Sequence, residues 1–154
     1  MFHKAIELNF KEGTVLEVAF RDGKVKQYDV SVLFGKYPQM RALEDRALFL
    51  SGRLIGFYGI VWNDELDIEA ETVYNEGELL RTVEIPARYL VGQAISDART
   101  TAGMTQSELS KLCGIDQSDL SKLERGQLNP SIATLERITK ALGCKLSILI
   151  QQLG

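Results

Sequence analysis

The segment TQSELSKLCGIDQSDLSKLERG, from Thr105 to Gly126, decides the fold of the second half of the chain. Thr105 and Glu108 have the spacing of a capping box, which predicts that a helix begins here. Gly114 lies where the chain must leave that helix, because glycine adopts the left-handed conformation at little cost. Asp116 is placed to cap a second helix, which Gly126 ends. The segment therefore predicts two short helices joined by a tight turn.

Apolar spacing predicts which faces of these two helices are buried. Leu109 and Leu112 are three residues apart in the first helix, and Leu120 and Leu123 repeat that spacing in the second. Ile115 adds an apolar contact in the turn. The second helix also carries a set of polar residues, namely Gln117, Ser118, Ser121, Lys122 and Arg125. It is therefore expected to bury one face and to present the other to solvent.

A helix with an exposed polar face is narrow enough to enter the major groove of DNA, where each base pair presents a distinct edge. The segment from Val91 to Leu149 resembles the helix-turn-helix domain of the phage-repressor/Cro and XRE family. The resemblance is carried by the TQSEL opening, the GIDQSDLSKLERG segment, the NPS before the next helix and the closing KALG. It implies a helix-turn-helix bundle of four or five helices at residues 87–154, with a recognition helix at about residues 116–125.

The resemblance also implies roles for individual side chains on double-stranded DNA. The residues expected to contact bases are Gln117, Ser118, Lys122 and Asp119. Those expected to contact phosphates are Gln106, Ser107, Arg125 and Asn129. The family has a partly buried ion pair that orients the recognition helix, and Arg99 and Glu124 occupy its two positions. For Asp119, support of the helix N-terminus is an alternative role. For Lys122 and Arg125, the alternative is an ordinary solvated surface.

The helices around this motif are also marked in the sequence. Pro86 suits the first position of a helix that is predicted to end at Thr101. Ser131 follows Asn129-Pro130 and can cap a later helix, which Gly143 ends. That helix has a stripe at helical spacing consisting of Ile132, Leu135, Ile138, Thr139 and Leu142. The final KLSILI, residues 145–150, is read as a fifth short helix, with an edge strand that pairs with a second subunit as the alternative.

Residues 1–76 are predicted to form a small α+β domain, an antiparallel sheet with one helix. Period-two alternation gives three strands in residues 1–30, and Asp22-Gly23 has the composition of a two-residue hairpin turn with positive φ at both positions. A helix is expected before Arg46, followed by strands at 47–50, 56–62 and 65–69. Residues 77–86 are then expected to link the two domains.

The blocks FRDGKVKQYDVSVLF and VWNDELDIEAETVY carry a second resemblance. They are similar to a small bacterial domain family of uncharacterised function, over about the first 75 residues. This resemblance implies a fold for the N-terminal half and no activity.

Charge is distributed unequally along the chain. The net charge is −3, but residues 1–86 hold ten Lys/Arg and fifteen Asp/Glu, whereas residues 87–154 hold eight Lys/Arg and six Asp/Glu. The half that resembles a helix-turn-helix domain is thus only weakly basic, so electrostatics alone would give weak non-specific DNA binding. The acidic segment from Asp64 to Glu78 has three interpretations: a metal site, a docking surface for a basic protein partner, or a solvated face.

Composition also limits the other functional classes. Cys113 and Cys144 lie in apolar surroundings and are expected to pack in the core, and the single His3 has no nucleophile beside it. We therefore expect no enzyme activity, no metal and no cofactor. No apolar run is long enough for a membrane span, and the start lacks a signal-peptide layout, so a cytoplasmic protein is expected.

Two functions remain on these grounds. The first is a sequence-specific transcriptional regulator, most simply a repressor. Because members of the family commonly bind two half-sites about one DNA turn apart, ~34–36 Å, a homodimer is expected, with the N-terminal domain as a candidate for the dimer contact. The alternative is a DNA-binding antitoxin that masks a toxin through the acidic N-terminal domain.

Overall fold

The computed structural model of the chain describes residues 2–152 and divides into two compact units. The first unit ends at Ile85 and the second begins at Pro86. The first is built from two antiparallel sheets with helices, and the second is helical. The predicted α+β fold class is therefore confirmed, and each unit has a hydrophobic core of its own.

The first unit contains seven strands and two α-helices within the described residues. In chain order, they are β1 (Ala5–Phe10), β2 (Val15–Phe20), β3 (Lys24–Asp29), α1 (Arg46–Leu50), β4 (Arg53–Ile55), β5 (Gly59–Asn63), β6 (Leu66–Glu69), α2 (Ala70–Glu76) and β7 (Glu78–Thr82). Two 3-10 helices, Val30–Leu33 and Pro38–Glu44, lie between β3 and α1. One sheet has the order β1-β2-β3-β7 and the other β4-β5-β6.

The β2–β3 turn differs from the predicted one. Three residues separate the strands, and only Gly23, with φ of 92°, has a positive φ. A three-residue hairpin of this kind needs the left-handed conformation only at its last position. A Cβ on Gly23 would also lie 2.5 Å from the carbonyl oxygen of Val83, whose N–H donates to the Gly23 carbonyl at 2.7 Å. Glycine is therefore required here for two reasons.

Residues 47–50, expected as a strand, belong to helix α1. The Asp45 carboxylate caps this helix by accepting the N–H of Leu48 at 2.9 Å. The segment buries Phe49 completely and leaves Leu50 half exposed. A short apolar run does not distinguish a helix from a strand, and here the Asp45 cap favours the helix. Helix α2 was also not predicted; it buries Ala70 and Val73, three residues apart.

The expected linker at residues 77–86 is also corrected, because Glu78–Thr82 forms β7 on the edge of the first sheet. All five residues of β7 are exposed, so the strand is held by backbone pairing with β3 rather than by burial. The Arg81 guanidinium also reaches the buried Glu17 on β2, with Nη2 2.8 Å from Oε1. Because β7 is exposed on both faces, its sequence ELLRT has no alternation of apolar and polar residues that would predict a strand.

The core of the first unit lies between its sheets and helices. Phe20, Phe49, Leu16, Leu43 and Ile60 are among its fully buried side chains. Trp62, the single tryptophan of the chain, packs in this core and donates its Nε1–H to the Phe49 carbonyl at 2.8 Å.

The second unit consists of four helices within the described residues. They are α3 (Ala87–Thr101), α4 (Gln106–Cys113), α5 (Gln117–Glu124) and α6 (Ile132–Ala141). Pro86, predicted as the first residue of α3, lies at its N-cap, so the helix begins one residue later than predicted. The core combines residues from all four helices: Ile95, Leu109, Cys113, Leu120, Leu123 and Ile138.

Several apolar residues of this unit are not where the sequence placed them. Leu112 is 61% exposed, and Cys113 occupies the core position instead, because positions four apart face the same side of α4. Ile132 and Cys144 are exposed as well. Residues 145–150 form neither the fifth helix nor a strand. Of these six residues, only Leu146 is partly buried.

Two further findings apply to residues 2–152. No helix there combines the length and the apolar character needed to cross a bilayer. The acidic segment has no cluster of His, Cys, Asp or Glu that could hold a metal ion, nor does any other described part of the chain.

Candidate nucleic-acid interface

The first helix of the motif begins with reciprocal backbone capping. Thr105 Oγ1 accepts the N–H of Glu108 at 3.1 Å, and Glu108 Oε2 accepts the N–H of Thr105 at 2.7 Å. The predicted capping box is therefore confirmed. The hydrogen bond from the Thr105 backbone holds the pKa of the Glu108 carboxyl below its usual value. The start of α4 is thus fixed in position.

The turn between α4 and α5 is held by side chains that satisfy its carbonyl groups. Gly114 has φ of 69°, as the sequence predicts. Ser110 Oγ donates to the Ile115 carbonyl at 2.5 Å, and Arg137 Nη2 donates to the Cys113 carbonyl at 2.7 Å. The last carbonyl groups of a helix have no intrahelical partner, so these donors fix the end of α4. Arg137 was not identified from the sequence, since nothing in the spacing pairs α6 with this turn.

Helix α5 packs closely on α3 through a glycine. A Cβ on Gly92 would overlap the carbonyl oxygen of Leu123 and lie 2.7 Å from that of Glu124. Gly126 ends α5 with φ of 75°, and its carbonyl accepts Arg88 Nε–H at 3.0 Å. Backbone contact of this kind leaves α5 little freedom to shift along α3.

A buried ion pair joins α3 to the end of α5. Arg99 Nε donates to Glu124 Oε1 at 2.6 Å, and Arg99 Nη2 donates to Oε2 at 3.0 Å, which is bidentate geometry. Arg99 Nη1 also donates to the Met104 carbonyl at 2.8 Å. Glu124 is 4% exposed. The hydrogen bond to Glu124 raises the pKa of the Arg99 guanidinium above its usual value.

Gln106 extends this ion pair into α4. Its Nε2 donates to Glu124 Oε2 at 2.8 Å, so the carboxylate links three helices. A buried carboxylate needs hydrogen bonds to its remaining lone pairs as well as a counter-charge. The resemblance implies a phosphate contact for Gln106, and nothing in the sequence indicates this second role.

The polar face of α5 lies in solvent. Gln117, Ser118, Asp119 and Lys122 are all exposed, whereas Leu120 and Leu123 on the opposite face are buried. Asp116 occupies the N-cap position of α5 but makes no capping hydrogen bond with its side chain. The four residues expected to contact bases are therefore all accessible to solvent, and we call the surface that they form the α5 face.

The four residues expected to contact phosphates differ in their exposure to solvent. Asn129 is exposed, whereas Gln106, Ser107 and Arg125 are half-buried. Arg125 Nε donates to the Ser121 carbonyl at 3.3 Å, which turns the guanidinium back along α5. The backbone N–H groups of Gln106 and Ser107 lie in the first turn of α4, where no intrahelical acceptor is available. These N–H groups can bind an anion.

The geometry defines the class: two short helices around a glycine turn, the second with an exposed polar face, form a helix-turn-helix. Comparison with known families agrees, because residues 95–149 match the family described as helix-turn-helix. Residues 5–78 match the family described as a protein of unknown function (DUF2442). The chain therefore carries an XRE-type helix-turn-helix domain preceded by a domain of that uncharacterised family, as both resemblances predicted.

Among solved structures, the chain is similar to the restriction-modification controller protein C.AhdI from Aeromonas hydrophila. The identity is 33% over 38% of this chain and 88% of that chain, with a TM-score of 0.37. The clp gene regulator ClgR from C. glutamicum is 30% identical over 43% and 85%, with a TM-score of 0.42. No curated protein matches the sequence. The domain assignment rests on the family match and the geometry, and it supports a DNA-binding regulator.

Proposed function

We propose that the chain is a sequence-specific transcriptional regulator, most simply a repressor, that acts on DNA in the cytoplasm. The observation that carries the proposal is the α5 face: its four polar side chains are exposed, and the helix behind them is held by Gly92 and the Arg99–Glu124 pair. A rigid helix with a free polar face suits entry into the major groove.

In this proposal, α5 reads base edges while α4 positions it on the backbone. Gln117 can pair with adenine in bidentate geometry, and Lys122 can donate to guanine. Ser118 and Asp119 are the further base contacts. Phosphates would be bound by Asn129, Arg125 and Ser107, together with the free N–H groups at the start of α4.

A single helix-turn-helix reads few base pairs, and this unit is only weakly basic. Affinity must therefore come from two copies that bind two half-sites. We propose a homodimer, with the first unit as the candidate dimer contact, because it has a core of its own and no DNA-reading element. A fragment ending at Ile85 is the appropriate test of that contact, since a shorter one would lose β7.

Base reading can be tested with the chain and DNA from upstream of its own gene, by gel shift or fluorescence anisotropy. Gln117→Ala and Lys122→Ala should each weaken binding by about 1–3 kcal/mol, because each removes one base contact. Lys140→Ala is the matched control, since Lys140 is also an exposed lysine but lies on α6. Unchanged affinity in both α5 variants would reject these assignments.

An antitoxin is the second candidate, and the acidic first unit favours it, with fifteen Asp/Glu against ten Lys/Arg up to residue 86. An antitoxin would bind DNA and also mask a toxin. Co-purification with a small basic protein encoded by a neighbouring gene would support this candidate over a simple repressor.

A further inference from the structure

The first unit contains an open groove with an apolar floor and one acidic side. Its cavity volume is about 700 Å³. The buried side chains of Met40 and Ile68 form part of the floor. Val32, which is 65% exposed, and Tyr37, which is 41% exposed, line it near the 3-10 helices. Large apolar side chains left in solvent beside a groove are typical of a binding surface.

The acidic side of the groove follows β6. Asp67 and Glu69 are exposed on one face of this strand, while Leu66 and Ile68 are buried on the other. Glu65, in the turn before the strand, also lines the groove. Asp67 and Glu69 are spaced by about 6.7 Å along the strand. None of these three carboxylates forms an ion pair within residues 2–152.

Strand β6 is also an edge strand, since its sheet has the order β4-β5-β6. An edge strand has backbone N–H and C=O groups that can pair with an added strand. A strand added beside β6 would place every second side chain opposite the carboxylates. Its remaining side chains would lie on the opposite face, toward the apolar part of the groove.

From these observations we propose that the groove binds an extended segment of a partner protein in which basic residues alternate with apolar ones. This inference rests on the proposal that the first unit has a protein partner, and it names the surface and the chemistry of that partner. Charge complementarity is the reason for choosing a basic partner. A groove with four acidic lining residues repels nucleic acid and attracts a cationic peptide. These residues are Glu65, Asp67, Glu69 and Glu76, and within the described chain Lys36 is the one basic residue that lines the groove.

The test uses the full chain and a short fluorescein-labelled peptide of alternating lysine and leucine, with an alternating glutamate and leucine peptide as the charge control. Anisotropy should show binding of the lysine peptide only. The double variant Asp67→Asn with Glu69→Gln should weaken binding roughly two- to tenfold, because it removes two cross-strand charge pairs without changing side-chain size. Tyr37→Ser should also weaken binding, through the apolar side.

The matched control is Glu12→Gln with Glu44→Gln, which removes the same charge from exposed positions of the first unit outside the groove. Equal affinity in the groove and control variants, or no peptide binding at all, would overturn the proposal. Sedimentation distinguishes a second occupant: if the groove variant alone converts a dimer to a monomer, the groove binds a second copy and the partner proposal is wrong. DNA binding, measured in parallel, should be unchanged in both variants. If the natural chain itself bound no DNA, that result would count against the regulator proposal and not against the groove.

Discussion

At the scale of single residues, the carboxylate of Glu124 determines how well α5 is held. It accepts hydrogen bonds from Arg99 on α3 and Gln106 on α4, and it is almost fully buried. The sequence could predict the Arg99–Glu124 pair, because the resemblance assigns both positions. It could not predict the bond from Gln106, since that contact depends on how α4 packs against α5.

Removal of this carboxylate should destabilise the second unit. Glu124→Ala leaves the Arg99 guanidinium without its counter-charge, at a cost of about 3 kcal/mol, the lower end for a buried pair because Arg99 is partly exposed. Urea unfolding followed by far-UV circular dichroism should show an earlier helical transition. The unfolding transition followed by Trp62 fluorescence should be unchanged, because Trp62 lies in the core of the first unit.

Glu136→Ala is the control for this prediction, since Glu136 is exposed on α6 and its removal should cost little. Equal midpoints for the two variants would show that the buried pair does not stabilise the domain.

At the scale of elements, prediction succeeded at most of the caps and glycines of the second unit, although Asp116 makes no capping hydrogen bond. The capping box at Thr105, the left-handed Gly114 and the Ser131 cap are all present. It was wrong where an element depends on distant partners. Strand β7 exists because β3 offers it backbone groups and Glu17 binds Arg81, and neither contact leaves a pattern in residues 78–82. Residues 145–150 have apolar character, but they form no regular element and only Leu146 among them is partly buried.

The ion pair between Glu17 on β2 and Arg81 on β7 should make the stability of the first unit depend on pH. The hydrogen bond from Arg81 is the main factor that holds the pKa of Glu17 below its usual value, and Lys11 adds to it. A carboxyl with a depressed pKa in the folded state stabilises above its unfolded-state pKa of about 4.3, and this contribution is lost as the pH falls further. The difference in unfolding free energy between the natural chain and Glu17→Gln should therefore shrink from about pH 6 to pH 3.

This difference can be measured by urea unfolding with Trp62 fluorescence across that pH range. Glu12→Gln is the control, because Glu12 is exposed and forms no ion pair within the described residues. A difference for Glu17→Gln that stays constant with pH would contradict the role of the Arg81 bond.

At the scale of the whole molecule, the chain combines an acidic unit with a weakly basic one. The family resemblances predicted both parts, and the main error lay in the residues between them. The homodimer remains a proposal, and its geometric consequence is specific. Two α5 helices related by a two-fold axis can read two half-sites only when these face the same side of the duplex.

Insertion of half a turn, about five base pairs, between the half-sites of a mapped operator should therefore weaken binding strongly, because it moves one half-site to the opposite side. Anisotropy with the natural and the extended operator measures the effect. An operator with the same number of central base pairs replaced, and none inserted, is the control. Equal affinity for all three duplexes would show that the chain binds DNA as a monomer.

The unequal burial of the two thiols has a practical consequence. Cys144 is exposed, whereas Cys113 is packed in the core between α4 and its neighbours. A maleimide dye should therefore label the native chain at one position and reach the other only after unfolding. Under native conditions, the rate at which the dye labels Cys113 would report how often the domain opens, and no engineered probe would be needed.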